Sequence, residues 1–166
     1  MTTPTIPATQ ERYYQRGVTR FYFLPSIAAR IPTRPELTDG TDLSDFISDI
    51  EGWQLANTPI ETPDLGSEFT SSITGEDKAD NSSLTLYDDK ASEALESLLA
   101  KDTVGFIVIL RKGDVPTRKT MDVFPVRVGS RSTAYTTSTE PAKFKVSFSI
   151  TSKPVLDAAV PAAAAG

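Results

Sequence analysis

The 166-residue chain contains no cysteine and no histidine. Disulfide bonds, thiol nucleophiles and cysteine-bound metals are therefore excluded. A Ser-His-Asp triad is excluded as well, because it needs an imidazole base. Long hydrophobic runs are also missing: the longest, Val104 to Leu110, is far shorter than the roughly 20 residues of a membrane helix. No apolar segment follows a basic start at the N-terminus, so no secretory signal is predicted.

Positive charge is in the minority, with 17 Lys and Arg against 22 Asp and Glu and a net charge of −5. Nucleic-acid-binding surfaces are usually basic, so holding DNA is not the expected main function. Hydrophobic residues make up 39% of the chain and charged residues 23%, which is typical of a globular domain. The length fits one such domain.

Alternating apolar residues predict strands along most of the chain. In AKFKVSFSITSKP, large apolar side chains occupy one face and lysine, serine and threonine occupy the other. The other predicted strands cover residues 18–27, 47–55, 67–74, 82–88, 104–110 and 120–128, with a bulge at Phe124–Pro125 that restores one apolar face. Residues 67–74 and 82–88 are predicted to pair as a hairpin joined by GEDKADN, and GSRSTAYTTSTEPA is predicted to be a polar loop.

One amphipathic helix of about three turns is predicted over residues ~89–101, capped by Asp88 or Asp89. Its apolar stripe includes Ala91, Leu95, Leu98 and Leu99. TRPEL predicts a short capped turn, with Thr33 as the cap, Glu36 three residues later and Gly40 as its end. The expected fold is therefore mainly β, a β-sandwich or half-barrel of about seven to eight strands with one flanking helix. The expected organisation is an N-terminal arm (1–17), a β-sandwich domain (18–153) and a C-terminal tail (154–166).

No motif predicts catalysis, a cofactor or a metal. GEDKADN lacks the glycine of a calcium loop, and Asp42, Asp45 and Asp49 fit a solvated face better than an acid–base pair. Trp53 is expected in the core rather than as an interface anchor. The loop ANTPIETPDLGS has no usable period, and a loop of that length is usually functional or disordered. An enzyme is therefore not expected.

An ordered series of motifs spans residues 17–160: RPELTDGTDL, DIEGW, IETPDLGSEFTSSITGED, SSLTLYDD, GFIVILRKGD, KTMDVFPVRVGS and AKFKVSFSITSKP. Together they resemble the major tail protein, or tail tube protein, of long-tailed (siphovirus-type) actinobacteriophages. The resemblance implies a virion structural protein whose copies form hexameric rings. Each copy would give strands to one β-barrel, and rings would stack helically into a hollow tube.

The resemblance also implies the partners. These are further copies of the chain, a tape-measure protein in the lumen, the tail terminator and distal tail proteins, and DNA that passes without sequence-specific binding. No membrane is involved, and the tail would be assembled in the host bacterial cytoplasm. A net negative lumen would repel phosphates, so DNA would pass without sticking.

The resemblance implies a contact between copies and a lumen lining, and candidate residues for the two surfaces follow from position in the chain and from alternation. The long loop is the candidate inter-ring or inter-subunit contact, through Thr58, Pro59, Ile60, Glu61, Thr62, Pro63, Asp64 and Leu65. Polar alternation supplies a candidate lumen or seam face, made of Glu68, Thr70, Ser72, Ser147, Ser149 and Thr151. Lys143 and Lys145 do not fit a purely acidic lining and are expected near a subunit contact.

Two other functions stay open at this point. One is the inner tube of a contractile tail or injection system, which a neighbouring sheath gene would favour. The other is a stand-alone β-sandwich binding module, which would remain a monomer.

Overall fold

The computed structural model describes residues 11–163. Most of the predicted N-terminal arm therefore lies outside the described residues. Its described part, residues 11–17, is exposed and contains no helix or strand. No helix in the described part is long and apolar enough to cross a membrane.

Ten strands and two short helices make up the described fold. In chain order they are β1 (Arg20–Leu24), α1 (Arg34–Asp39), β2 (Thr41–Asp42), β3 (Ile47–Glu51), β4 (Leu55–Thr62), β5 (Ser71–Ala79), β6 (Ser82–Tyr87), α2 (Ala94–Leu98), β7 (Val104–Leu110), β8 (Met121–Ala134), β9 (Lys143–Ile150) and β10 (Val155–Ala158). Eight of the strands form one antiparallel sheet in the order β2-β1-β7-β8-β9-β6-β3, with β10 added to β8. Among the described residues, strands β4 and β5 pair only with each other. The expected mainly-β, sandwich-like fold is confirmed.

Side chains from both halves of the large sheet meet in a common core. This core joins side chains of β1, β6, β7, β8 and β9. Trp53 is partly buried and packs against this core, with its ring centre 5.4 Å from that of Phe124 and 5.5 Å from that of Phe148, which agrees with the prediction that it packs in the core. Phe144, Val146 and Phe148 of the alternating strand are almost fully buried there, as predicted.

A second apolar cluster covers the opposite face of β7 and the first half of β8. It contains Val108 and Leu110 of β7 and Met121 and Val123 of β8, with Leu37 of α1 over them. The predicted bulge at Phe124–Pro125 is therefore wrong, because the β7–β8 register runs unbroken through both residues. The two apolar phases of β8 need no bulge, since each phase has its own core. The irregularity lies further on, between Val128 and Ser130.

The flanking helix exists but is shorter than predicted. It spans Ala94–Leu98 with Glu93 as a cap that makes no side-chain hydrogen bond. Ala91 lies before the helix, because Asp89 accepts a hydrogen bond from its N–H and forms a turn instead of a cap. Leu95, Leu98 and Leu99 pack against the main core as expected. The capping box of Thr33 and Glu36 and the end of α1 at Gly40 are confirmed.

The C-terminal segment packs against the body rather than forming a separate tail. Strand β10 pairs with β8, and Ala158 and Val160 are buried in the second cluster. Arg34 of α1 holds this segment, because its guanidinium donates to the carbonyls of Pro161 and Ala162 as well as to Asp114. Residues after 153, where the sequence analysis placed the end of the β-sandwich domain, thus include a strand paired with the large sheet.

Candidate subunit interface

Half of the large sheet is a four-stranded segment with two open edges. It consists of β3, β6, β9 and the second half of β8, Gly129–Ala134, in that order. Within the described residues, β3 pairs only with β6, and this half of β8 pairs only with β9. Open edges expose unpaired N–H and C=O groups that can pair with another chain.

One face of the four-stranded segment is polar. Cross-strand partners in an antiparallel pair point to the same side, so Glu51, Ser83, Ser147 and Ser130 form one row. The next row contains Asp49, Thr85, Lys145 and Ser132, as the same registers give. Small hydroxyls therefore alternate with a few charges, while the opposite face carries the buried aromatic and aliphatic side chains.

The lysines of this face are paired within the chain. Lys145 Nζ lies 3.0 Å from Glu51 Oε2, and Ser83 Oγ donates to the same carboxylate oxygen over 3.2 Å. The bonds from Lys145 and then Ser83 lower the pKa of Glu51. Lys143 Nζ lies 5.6 Å from the centre of the Tyr87 ring. Charges of both signs are thus balanced on the polar face, which is not purely acidic.

Strands β4 and β5 form a hairpin with almost all of its side chains exposed. Ile60 and Ile73 face each other in the register and are 52% and 57% exposed, while Leu65 and Phe69 project from the connecting loop. An isolated two-stranded hairpin is marginally stable in water. An extension that also exposes several large apolar side chains is typical of an interaction surface.

A bulge in this hairpin lies beside hydrogen bonds between Asn57 and Gly75. The register shifts between Thr58 and Ile60. Opposite the bulge, the Asn57 side chain donates to the Gly75 carbonyl over 3.0 Å and accepts from the Gly75 N–H over 3.2 Å. Asn57 also donates to Asp77, and this bond is the main cause that lowers the pKa of Asp77. Lys153, after β9, lies 3.5 Å from Asp77 and ties the hairpin base to the body.

The predicted interface loop proves to be mostly strand. Thr58, Pro59, Ile60, Glu61 and Thr62 lie in β4, and only Pro63, Asp64 and Leu65 belong to the connecting loop. The predicted pairing of residues 67–74 with 82–88 is wrong, because β5 pairs with β4 and GEDKA continues that strand. The predicted polar loop after Val128 is also partly wrong, since residues 129–134 continue β8.

The residues of the predicted lumen or seam face are not brought together. Ser147 and Ser149 lie on β9, and Thr151 follows it. Ser72 lies on β5, and Glu68 and Thr70 precede that strand in the hairpin loop. Three of the six therefore lie on strands, which belong to two separate sheets, and the other three lie in loops.

The open edge at Gly129–Ala134 escaped sequence reasoning, as did the exposure of Phe69 and Ile73. A signal was available for the edge, since Ser130, Ser132 and Ala134 alternate with Arg131 and Thr133 without proline. No cluster of acidic residues suited to a metal occurs in the described part of the chain.

Comparison with known proteins supplies the family. A family described as "Phage tail tube protein" matches residues 6–163. The search of curated protein sequences gives no match. Among solved structures, the sheath/tube terminator of the extracellular contractile injection system PVC superimposes with a TM-score of 0.61 at 11% identity, covering 89% of this chain and 98% of the other.

A chain of the anti-feeding prophage (AFP) baseplate gives a TM-score of 0.55 at 12% identity and covers 95% of this chain and 99% of its own. At such identities these likenesses concern the fold. The family match, in contrast, extends over nearly the whole sequence. The chain therefore belongs to the phage tail tube protein family and is a structural subunit of a tail.

Proposed function

We propose that six copies of the chain form a ring whose four-stranded segments join edge to edge into one β-barrel around a lumen. In this arrangement β3 of one copy pairs with residues 129–134 of the next. Rings then stack into the tube of a siphovirus-type phage tail. The role is structural and not catalytic.

The observation that carries the proposal is the pair of open edges on opposite sides of the segment. All neighbours in the order β3-β6-β9-β8 are antiparallel, so β3 and β8 themselves run in opposite directions. An even number of strands per copy therefore keeps the antiparallel alternation across every junction and around the closed ring. Closure also removes the exposed edges, which otherwise promote aggregation.

The polar face of the segment would line the lumen, because its opposite face is already buried in the core. Ser147 and Ser149 would then belong to the lining, together with the paired Glu51 and Lys145. A lining with balanced charge offers DNA few unpaired cations. Little counterion release would accompany contact, so DNA could move past without being held.

The β4–β5 hairpin would contact the adjacent ring. It extends the chain by about 25 Å at ~3.3 Å per strand residue, and its exposed Ile60, Ile73, Leu65 and Phe69 supply apolar surface. Stacking of identical rings is a head-to-tail contact that does not close, and such contacts produce filaments. Thr58–Leu65 thus remain in the proposed contact. They form the end of β4 and the start of the loop that connects it to β5.

The remaining partners follow from this assembly. A tape-measure protein would occupy the lumen during assembly in the host cytoplasm, and the terminator and distal tail proteins would contact the two ends. In the virion the lumen would conduct DNA into the host.

Two lysine substitutions at exposed isoleucines test the proposal. Ile50 on the β3 edge is 44% exposed and Ile73 on the hairpin is 57% exposed. With negative-stain electron microscopy of the full chain, Ile50→Lys is expected to abolish rings. Ile73→Lys is expected to leave single rings but prevent stacking. Normal tubes from Ile50→Lys, with its fold intact by circular dichroism, would refute edge-to-edge closure.

The inner tube of a contractile system is the second candidate. One of the two fold likenesses above comes from a structure described as a contractile injection system. A sheath around the tube in intact particles would establish this version, and a bare tube would establish the siphovirus type. A chain that remains monomeric at every concentration would instead favour a stand-alone binding module.

A further inference from the structure

A small cavity opens beside α2 at one end of the sandwich. Its volume is ≈190 Å³, and apolar side chains form much of its lining, including Phe46, Tyr87, Leu95 and Phe144. Apolar cavities of roughly 150 Å³ bind a benzene ring in other proteins. The cavity is therefore large enough for one aromatic side chain.

The rim of the cavity is acidic. Asp88, Asp89 and Glu96 line it, and a hydrogen bond between the Asp88 and Glu96 carboxyl groups is the main cause that raises the pKa of Glu96. Arg131 approaches from β8 but already contacts the Glu96 carbonyl and carboxylate. Asp88 and Asp89 form no ion pair within the described residues, so the rim has room for an incoming cation.

The N-terminal arm carries the complementary chemistry. The sequence Arg12-Tyr13-Tyr14-Gln15-Arg16 places two aromatic rings between two cations. Tyr13 is 48% exposed and Tyr14 is 88% exposed. A turn in which Val18 and Thr19 donate to the Gln15 carbonyl connects this arm to β1, and the tyrosines remain in solvent rather than in the cavity of their own chain.

We propose that the cavity beside α2 receives the arm Arg12–Arg16 of a second copy of the chain, with the Tyr14 ring inside it and the arginines on the acidic rim. Tyrosine and arginine are, with tryptophan, the side chains most enriched among the residues that dominate binding at interface centres. An arm and its receptor on the same chain form a head-to-tail contact, which can be repeated from copy to copy. The inference rests on the proposed assembly and adds to it a specific contact that neither the sheet edges nor the hairpin provides.

Site-directed disulfide formation tests the contact in the full-length chain. Because the chain has no cysteine, the introduced thiols have no native thiol to compete with them. Gln15→Cys keeps both tyrosines, and Ser92→Cys places a thiol on the cavity lining. The two single variants, differing in an affinity tag, are mixed and oxidised, and the mixed disulfide is measured on non-reducing gels.

The expected result is a mixed disulfide in clear excess over a matched control, Tyr135→Cys with Ser92→Cys, since Tyr135 is an equally open tyrosine position at 91% exposure. Adding Tyr14→Ala to the Gln15→Cys chain is expected to reduce the yield to that of the control. A yield no greater than that of the control would overturn the inference.

Electron microscopy of the same samples separates this inference from the proposed ring. Tubes without the mixed disulfide refute the arm contact and leave the ring standing. The mixed disulfide without rings supports the arm contact and refutes edge-to-edge closure. Absence of both refutes both.

Discussion

The large sheet and the β4–β5 hairpin bury their apolar side chains to very different extents. In the sheet, Phe144, Val146 and Phe148 of β9 are at most 2% exposed. In the hairpin, Ile60 and Ile73 are 52% and 57% exposed although they too sit on paired strands. The sheet therefore carries its own core, whereas the hairpin has apolar surface and no core within the described chain.

This difference separates folding from assembly. Burying a large apolar side chain contributes about 1.5–3 kcal/mol, and the sheet gains that contribution many times within one chain. The hairpin gains it only if another copy covers it. The body is thus expected to fold alone, and the hairpin to become rigid on assembly.

The largest effect is expected from truncating a side chain in the core of the large sheet. Phe148→Ala removes a ring that packs against Trp53 and leaves a cavity in the main core. The free energy of unfolding is expected to fall by about 3–5 kcal/mol. Denaturant unfolding of the dissociated chain measures it.

The hairpin supplies the matched control for this truncation. Leu65 is fully exposed in the connecting loop, so Leu65→Ala should change the free energy of unfolding by less than about 0.5 kcal/mol. Equal losses in the two variants would show that the hairpin is part of the cooperative body and would break the comparison.

A substitution at the hairpin bulge tests the opposite region. A Cβ atom at Gly75 would lie 2.0 Å from the Thr58 carbonyl oxygen. Gly75→Ala must therefore displace β4 from β5. Amide protection within the hairpin is expected to fall by at least about tenfold, equivalent to ~1.4 kcal/mol, while protection in β7 and β9 stays unchanged. Hydrogen exchange of the dissociated chain measures both.

Gly66 in the hairpin loop is the control for Gly75. A Cβ atom there would meet only the Asp64 side chain, at 3.3 Å, so Gly66→Ala should leave hairpin protection nearly intact. If Gly75→Ala lowers protection throughout the large sheet, the hairpin does not open independently.

Sequence reasoning succeeded where a local rule and the tertiary environment agree. The alternation of β9 matches a sheet with one buried face, and the Thr33–Glu36 box satisfies the start of α1 by itself. The β8 bulge was predicted wrongly because a sequence shows two apolar phases but not that each has a separate core. The hairpin was missed for a related reason: exposed strands lack the polar–apolar contrast from which strands are recognised, and Pro59 and Pro63 resemble loop markers.

The smallest expected effect is the pH dependence of two carboxylates, one in each region. The bonds from Lys145 and Ser83 lower the pKa of Glu51 on the sheet, and the bond from Asn57 lowers the pKa of Asp77 on the hairpin. A carboxyl group whose pKa is lower in the folded chain than in the unfolded chain, where it is about 4, stabilises the folded chain at pH values above that unfolded pKa. This contribution is lost as the pH falls through the pKa of the folded chain. Glu51→Gln should therefore reduce the loss of the free energy of global unfolding between pH 6 and 3. Asp77→Asn should leave this pH dependence unchanged and should reduce only the loss of amide protection in the hairpin at acid pH. If Asp77→Asn altered global unfolding as much as Glu51→Gln, the hairpin and the sheet would be one cooperative unit, and the apolar surface of the hairpin would need no second copy to hold it in place.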